Sequence, residues 1–286
     1  MRARLFLIFL TLALFAGDCL ADQRARPPKW TADDRDVFFE HVKSALVGAR
    51  PDFGELAGAI AKNTAQGESS RVSADGEKWS ELISPDTIET EIKRQAQTVT
   101  KAAENATAFK GGGYRDARTA LSMLALMFRL AAEHDAGARW RDIAPGLSGV
   151  FARAAANCKV GTDGSYREAA ARAQDLAELI RGGRPDAPNP EPDQKWSDLA
   201  DRSPIMKRMD VIQQKSLGPL LGSKATFSRS TEEATHEAQV LAALAEILTR
   251  EEFSDAGDED YDAFCRALRD AASEISRAAD NDDYEA

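Results

Sequence analysis

The chain has 286 residues, of which 43% are hydrophobic and 29% are charged, a composition typical of a globular protein with enough apolar material for a core. The formal net charge of −10 argues against nucleic acid or an anionic membrane as a partner. Aromatic residues make up 7% of the chain, and β-branched residues are sparse beside alanine and leucine, so the composition favours helices over strands.

The N-terminus has the features of a secretory signal peptide. Arg2 and Arg4 precede an apolar run over residues 5–16, and the small residues Cys19 and Ala21 suit cleavage after position 21. We therefore expect export to the periplasm or out of the cell. The run is shorter than the roughly 20 residues that span a bilayer, and no later segment is as apolar over that length, so no stable membrane span is expected after cleavage.

An N-terminal helical extension is predicted over residues 22–77. Residues 31–47 are predicted to form one helix and residues 52–62 a shorter second one, before a polar loop at residues 66–76. The extension precedes the part of the chain in which a repeat is visible.

The repeat organises the rest of the sequence. Residues 79–82 (Trp-Ser-Glu-Leu) recur 117 positions later as residues 196–199 (Trp-Ser-Asp-Leu). At the same offset, two segments share an apolar stripe with the i, i+3, i+4, i+7 spacing of an amphipathic helix packed on a core. The first stripe comprises Ala117, Leu121, Leu124, Phe128 and Ala131, and the second comprises Ala234, Ala238, Leu241, Ala245 and Leu248.

A four-residue insertion around residues 253–260 then changes the offset to 121. At this offset the next helix of the first half is predicted to bury Trp140, Ile143, Leu147, Val150, Phe151 and Ala154. Its counterpart is predicted to bury Tyr261, Phe264, Leu268, Ala271, Ala272 and Ile275.

Helix starts are also predicted by local residues. Ser84-Pro85 and Ser203-Pro204 each pair a capping residue with a proline in the first turn. A fourth helix of the first half is predicted from about residue 165 to residue 180, with the glycine pair at 182–183 as its end.

These patterns predict an all-α fold, a duplicated up-and-down helix bundle whose second copy lacks its fourth helix. The first four-helix unit spans residues 78–183, a proline-rich linker spans 184–194, and the incomplete second unit spans 195–286. The second copy breaks off at residues 284–286, where its fourth helix should begin. Each half is expected to close around its own interior.

The second half resembles the cytochrome c-prime and cytochrome b-type four-helix bundles of bacterial periplasms. The resemblance rests on residues 203–209 (Ser-Pro-Ile-Met-Lys-Arg-Met), on the helix over residues 238–248, and on residues 258–261, which open the helix that follows. Residues 157–163 of the first half resemble a segment of uncharacterised exported bacterial proteins of this type, so this half looks like a haem-less relative.

In that family a fourth helix carries Cys-x-x-Cys-His, whose cysteines bond the haem vinyl groups and whose histidine ligates the iron. This motif does not occur in the sequence, so no cofactor is expected. The alternative is c-type cytochrome-like electron transfer or haem binding, which requires a Cys-x-x-Cys-His helix after Ala286.

Non-covalent haem would need axial ligands, and Met206 or Met209 with His236 is the combination that the sequence offers. Methionine on an apolar helix stripe is usually core filler. Glu233-x-x-His236 matches half of a di-iron bundle motif, but a working site needs two such motifs and further carboxylates, so no metal site is expected.

Other candidate motifs also favour structural roles. The acidic residues 258–262 lack the glycine and glutamate of an EF-hand and are predicted to cap a helix N-terminus. Residues 110–114 (Lys-Gly-Gly-Gly-Tyr) could expose amides to an anion, but they follow no strand and are predicted to form a turn. Cys158 and Cys265 remain after signal cleavage, and nothing in their spacing requires a disulfide.

The sequence contains no signature of a catalytic nucleophile. We therefore expect a non-catalytic exported helical-bundle protein, an interaction or scaffold module whose protein partner is unknown. An enzyme with a cleft between the two halves is a third hypothesis.

Overall fold

A computed structural model describes residues 78–189, 193–250 and 252–285. The described residues belong to one compact unit, residues 74–286. The predicted signal peptide (residues 1–21) and the N-terminal extension (residues 22–77) lie outside the described residues.

The described residues form helices and no strand, which confirms the all-α prediction. The helices of the first half are α1 (Trp79–Leu82), α2 (Pro85–Ala102), α3 (Ala106–Ala108), α4 (Tyr114–Glu133), α5 (Ala144–Asn157) and α6 (Asp163–Ile180). Those of the second half are α7 (Trp196–Leu199), α8 (Arg202–Val211), α9 (Gly218–Leu220), α10 (Lys224–Phe227), α11 (Thr231–Leu248) and α12 (Glu259–Asp280). Two π-helical turns, Phe109–Gly113 and Ile212–Leu217, connect α3 to α4 and α8 to α9.

Local capping explains where several helices begin. The Ser84 side chain accepts a hydrogen bond from the Thr87 amide at the start of α2, with Pro85 in the first turn, as predicted. The Asp258 carboxylate accepts from the Tyr261 amide at the start of α12, so the acidic segment does cap a helix.

The predicted start at Ser203-Pro204 is wrong by two residues. Helix α8 begins at Arg202 and its N-cap position is Asp201, whose side chain makes no capping hydrogen bond. The Asp201 carboxylate pairs with Arg118 and Lys159 and so does not cap the helix.

The four long helices of the first half pack against one another. Helix α4 packs on α5 and on α2, and α6 lies across α2 and α5. Helix α6 is capped at its N-terminus by Thr162, which forms reciprocal hydrogen bonds with Ser165. Beyond its last residue, Ile180, the chain turns at Gly182, whose φ of +92° favours glycine. The predicted fourth helix of this half is therefore present.

In the second half, α11 packs mainly on α12, and α8 contacts both α11 and α4. Helix α11 also contacts α2. The buried apolar residues form one continuous core that includes residues of both halves, whereas the sequence predicted a separate interior for each half. The reason is that α8 and α11 bury side chains against helices of the first half as well as against each other. The predicted unit boundaries themselves stay a prediction.

The buried face of α12 differs from the predicted stripe. Phe264 is 75% exposed and Leu268 is 38% exposed. The residues of α12 that are buried are Cys265, Ala272, Ser276 and Ala279. These are small side chains, which let two helix backbones approach closely, so α12 turns this face to α11 and leaves its larger apolar residues outside.

Each half contains one contact between a phenylalanine and a tyrosine ring. The rings of Phe109 and Tyr166 lie 5.7 Å apart, and those of Phe227 and Tyr284 also lie 5.7 Å apart. Each member of the second pair follows its counterpart by 118 positions. No helix in the described part of the chain has both the length and the apolar composition needed to cross a membrane.

Candidate functional site

Charged side chains from three helices meet inside the protein. Helix α2 contributes Glu91 and Arg94, helix α8 contributes Arg208, and helix α11 contributes Glu233 and Glu237. We call these five residues the ionic cluster. Because α2 belongs to the first half and α8 and α11 to the second, the cluster lies where the halves join.

Glu91 is the centre of the cluster and is fully buried. Arg208 donates to both of its carboxylate oxygens, from Nε to Oε1 over 2.9 Å and from Nη2 to Oε2 over 3.1 Å. Gln95 Nε2 donates to Oε1 over 2.7 Å, and His236 Nε2 lies 3.0 Å from Oε2. Glu91 is thus held by a bidentate arginine and two further donors, which is the arrangement that makes a buried carboxylate tolerable.

The second buried carboxylate, Glu237, is less well satisfied. Its Oε2 lies 2.8 Å from Arg208 Nη2 but without the alignment of a hydrogen bond. Arg94 Nη1 reaches its Oε1 over 3.2 Å while donating to Glu233 Oε1 over 2.8 Å. Arg94 and Glu233 are each more than one third exposed and form the solvent edge of the cluster.

The charges of the cluster do not balance without a proton. Three carboxylates face two guanidinium groups. Burial alone would raise the pKa of Glu91, but the hydrogen bond from His236 and the charge of Arg208 outweigh burial and lower this pKa to about 2. Burial raises the pKa of Glu237, and the neighbouring Glu91 adds to this effect, although Arg208 opposes it. Glu237 is therefore the carboxyl group of the cluster that takes up a proton most readily.

The three candidate axial ligands, Met206, Met209 and His236, differ in their exposure to solvent. Met206 lies on the surface with 44% of its area exposed, whereas Met209 is buried in the core. His236 is buried beside the cluster. Because α8 turns Met206 outward, only Met209 and His236 are shielded from solvent as an axial ligand would be.

The hydrogen bond of His236 limits what this residue can bind. An ionised carboxylate only accepts hydrogen bonds, so the Nε2 atom that faces Glu91 carries the proton. A nitrogen that carries a proton has no lone pair for a metal. Ligation of haem iron through Nε2 would thus require the bond to Glu91 to break.

The two residues of the Glu233-x-x-His236 motif have different partners. Glu233 pairs with Arg94, and His236 pairs with Glu91. Within residues 78–189, 193–250 and 252–285, no group of three or more His, Cys, Asp or Glu side chains is placed to hold a metal ion. Cys158 and Cys265 are both buried free thiols, and burial raises the pKa of Cys158 to about 11.

Sequence reasoning missed the ionic cluster, although a signal was present. Glu91 lies between Ile88 and Ile92 on α2, and both isoleucines are buried. Arg208 lies between Ile205 and Met209 on α8, and both of these residues are buried as well. Opposite charges on two buried stripes, at an offset of 117 positions, predict a buried ion pair if the two stripes face each other.

No family model, no curated protein and no solved structure matches this chain.

Proposed function

We propose that this protein is a non-catalytic, exported helical scaffold, formed by two related halves that the ionic cluster locks together. The observation that carries the proposal is the bidentate pair between Glu91 and Arg208 at the junction. Each buried charge of the cluster lies against an opposite charge of the protein itself. A buried network of paired charges positions helices and specifies their register.

The proposed duplication is supported by contacts between equivalent positions. Trp79 and Trp196, 117 positions apart, touch with ring centroids separated by 5.6 Å. Glu91 and Arg208 have the same separation in sequence. When two copies of one unit pack around a pseudo-two-fold axis, equivalent residues meet at that axis. Contacts between counterparts are therefore expected of a duplicated pair and not of unrelated helices.

When α5 and α12 are aligned by their buried residues, an offset of 118 positions fits better than the offset of 121. At 118, the buried residues Leu147, Ala154 and Cys158 correspond to Cys265, Ala272 and Ser276, which are also buried. The ring pairs that end with Tyr166 and Tyr284 have this offset too. In the proposed alignment, the offset is 117 positions for α4 and α11 and 118 positions for α5 and α12, and no insertion of four residues is needed between them.

Haem binding is the competing function, and a haemin titration decides between the two. Haemin is added to the purified full chain and to its His236→Gln variant, and the Soret region is scanned. We expect no ligated-haem band in either protein because His236 Nε2 is engaged by Glu91. A Soret band in the unaltered chain that is lost in the variant would overturn the proposal. Equal weak absorbance in both would indicate haemin adsorption without an axial histidine.

Export is tested separately. The full chain is expressed in a Gram-negative bacterium, and the mass of the product in the periplasm and medium is measured. We expect a mature N-terminus at Asp22. A product that retains Met1 and stays in the cytoplasm would contradict the exported location and leave the scaffold proposal to the haemin experiment.

A further inference from the structure

A small pocket lies between the two halves on the α4–α8 side. Its volume is 150 Å³, and its lining includes the first turns of α4 and α8 and residue Lys159 after α5. Four cationic side chains line it: Arg115, Arg118, Lys159 and Lys207. We call this the basic pocket.

The positive charge of the basic pocket is only partly balanced. Asp201 pairs with Arg118 and lies 3.4 Å from Lys159 Nζ. With this carboxylate counted, the four cations leave a net charge of +3 in a protein whose total is −10. Like charges brought together raise the electrostatic energy of the folded protein, and an anion bound among them lowers it.

Neutral donors complete the lining of the basic pocket. Ser203 lies in the first turn of α8 and faces the pocket. Because Asp201 makes no capping hydrogen bond, the amides of this turn have no side-chain acceptor from their N-cap residue. Unsatisfied amides at a helix N-terminus favour an anion. The four cations and Ser203 come from α4, from α8 and from the segment after α5, and all of them line this one pocket.

Close packing holds one side of the pocket in place. A Cβ atom on Gly161 would lie 2.7 Å from Tyr114 Cδ1 and 2.9 Å from Lys110 Cα. Lys110 also pairs with Asp163 over 2.7 Å. The segment that carries Lys159 is thus packed directly against the start of α4.

We propose that the basic pocket binds a phosphate-type anion, either inorganic phosphate or the phosphoryl group of a small phosphomonoester. A tetrahedral dianion offers several oxygens in different directions and enough negative charge for four cations. A carboxylate offers two oxygens and one charge, which a single arginine can satisfy. The inference goes beyond the scaffold role and does not depend on it.

The test is calorimetric titration of the full chain with inorganic phosphate, with ionic strength held at about 0.15 M by sodium chloride. We expect saturable binding to the unaltered chain and at least about tenfold weaker binding to Lys159→Met/Lys207→Met, which removes two of the four cations. The matched control is Lys215→Met/Lys224→Met, which makes the same change in net charge outside the pocket. The control should bind phosphate like the unaltered chain.

A gain of affinity gives a second and independent readout. Asp201→Asn removes the internal carboxylate that competes for Arg118 and Lys159, so phosphate should bind several-fold more tightly to this variant. Sulfate should compete with phosphate, and acetate should not. Absence of binding to both the unaltered chain and Asp201→Asn would overturn the proposal, and so would equal weakening in the two double-lysine variants.

Discussion

Glu91 and Arg208 lie 117 positions apart and form a buried bidentate ion pair that joins helix α2 to helix α8. The pair is more than a local contact, because Trp79 and Trp196 have the same separation and also touch. Arg250 lies over the Trp79 ring and Arg129 over the Trp196 ring. Residues that are 117 positions apart therefore meet at two places, one polar and one aromatic.

Removal of one partner of the buried pair should be costly. Arg208→Met leaves Glu91 and Glu237 as buried carboxylates without their main cation, so the free energy of unfolding should fall by about 3–5 kcal/mol. Urea denaturation followed by circular dichroism measures this. The control is Arg202→Met, whose partner Asp255 and whose own side chain are both more than 40% exposed, and the expected loss there is below about 1 kcal/mol. Similar losses in the two variants would show that the buried pair contributes no more than a surface one.

The contribution of Glu91 to stability should depend on pH in a defined direction. The folded-state pKa is about 2 and the ordinary value is 4.5. The stabilisation is therefore fully present above pH 4.5 and is lost as the pH falls toward 2. The difference in unfolding free energy between the unaltered chain and Glu91→Gln should shrink over this interval by an amount on the order of 3 kcal/mol.

The measurement for this prediction is the urea midpoint and slope of both proteins at several pH values. Glu274→Gln removes an exposed glutamate of α12 and serves as the control, with a difference from the unaltered chain that stays flat. A pH-independent difference for Glu91→Gln would contradict the lowered pKa.

The contribution of Glu237 to stability should depend on pH in the opposite direction. Its pKa is raised in the folded protein, chiefly by burial, so folding takes up a proton and the associated stability is lost as the pH rises through the folded-state value. In Glu237→Gln this loss is absent, and the unfolding free energy should rise relative to the unaltered chain as the pH increases from 4.5. Measurement of urea unfolding from acidic to neutral pH checks this. A relative stability that falls over the same range would contradict the prediction.

Gly161 should be far less tolerant of a methyl group than a glycine a few residues later. Gly161→Ala places Cβ against the Tyr114 ring and the Lys110 backbone, and such overpacking should cost about 1–3 kcal/mol. In Gly164→Ala the nearest atom is Thr162 Oγ1 at 3.6 Å, an ordinary contact, and the substitution should be neutral or slightly stabilising in a helix. Thermal unfolding of both variants tests the contrast, and equal melting temperatures would contradict it.

The two buried cysteines should react slowly with thiol reagents in the folded protein. Burial raises the pKa of Cys158 to about 11 and also raises that of Cys265, and only the thiolate attacks. In a chain with Cys19→Ser, reaction with a disulfide reagent at neutral pH should be at least about a hundredfold faster after unfolding in urea than before. The unfolded chain should release two thiols. Rapid modification of either cysteine in the folded protein would contradict this.

Several elements of the fold were predictable because their causes are local. Ser84-Pro85 marks the start of α2, and the stripes of α4 and α11 are buried as their periodicity indicates. The face of α12 was not predictable in the same way. Its larger apolar residues, Phe264 and Leu268, give the stronger hydropathy signal, yet the small residues at 265, 272 and 276 are the ones that α11 covers.

The sequence by itself determined the helical class of the chain, the starts of α2 and α12, the end of α6, and the presence of charged residues on two apolar stripes. Only the tertiary structure decided that Glu91 meets Arg208, that His236 donates to Glu91, and that Arg118 and Lys159 share a pocket with Lys207. The physical reason is the separation in sequence over which each kind of interaction acts. Helix periodicity and capping depend on residues within about four positions of each other, whereas pairing of buried charges depends on how closely distant helices approach and at what angle.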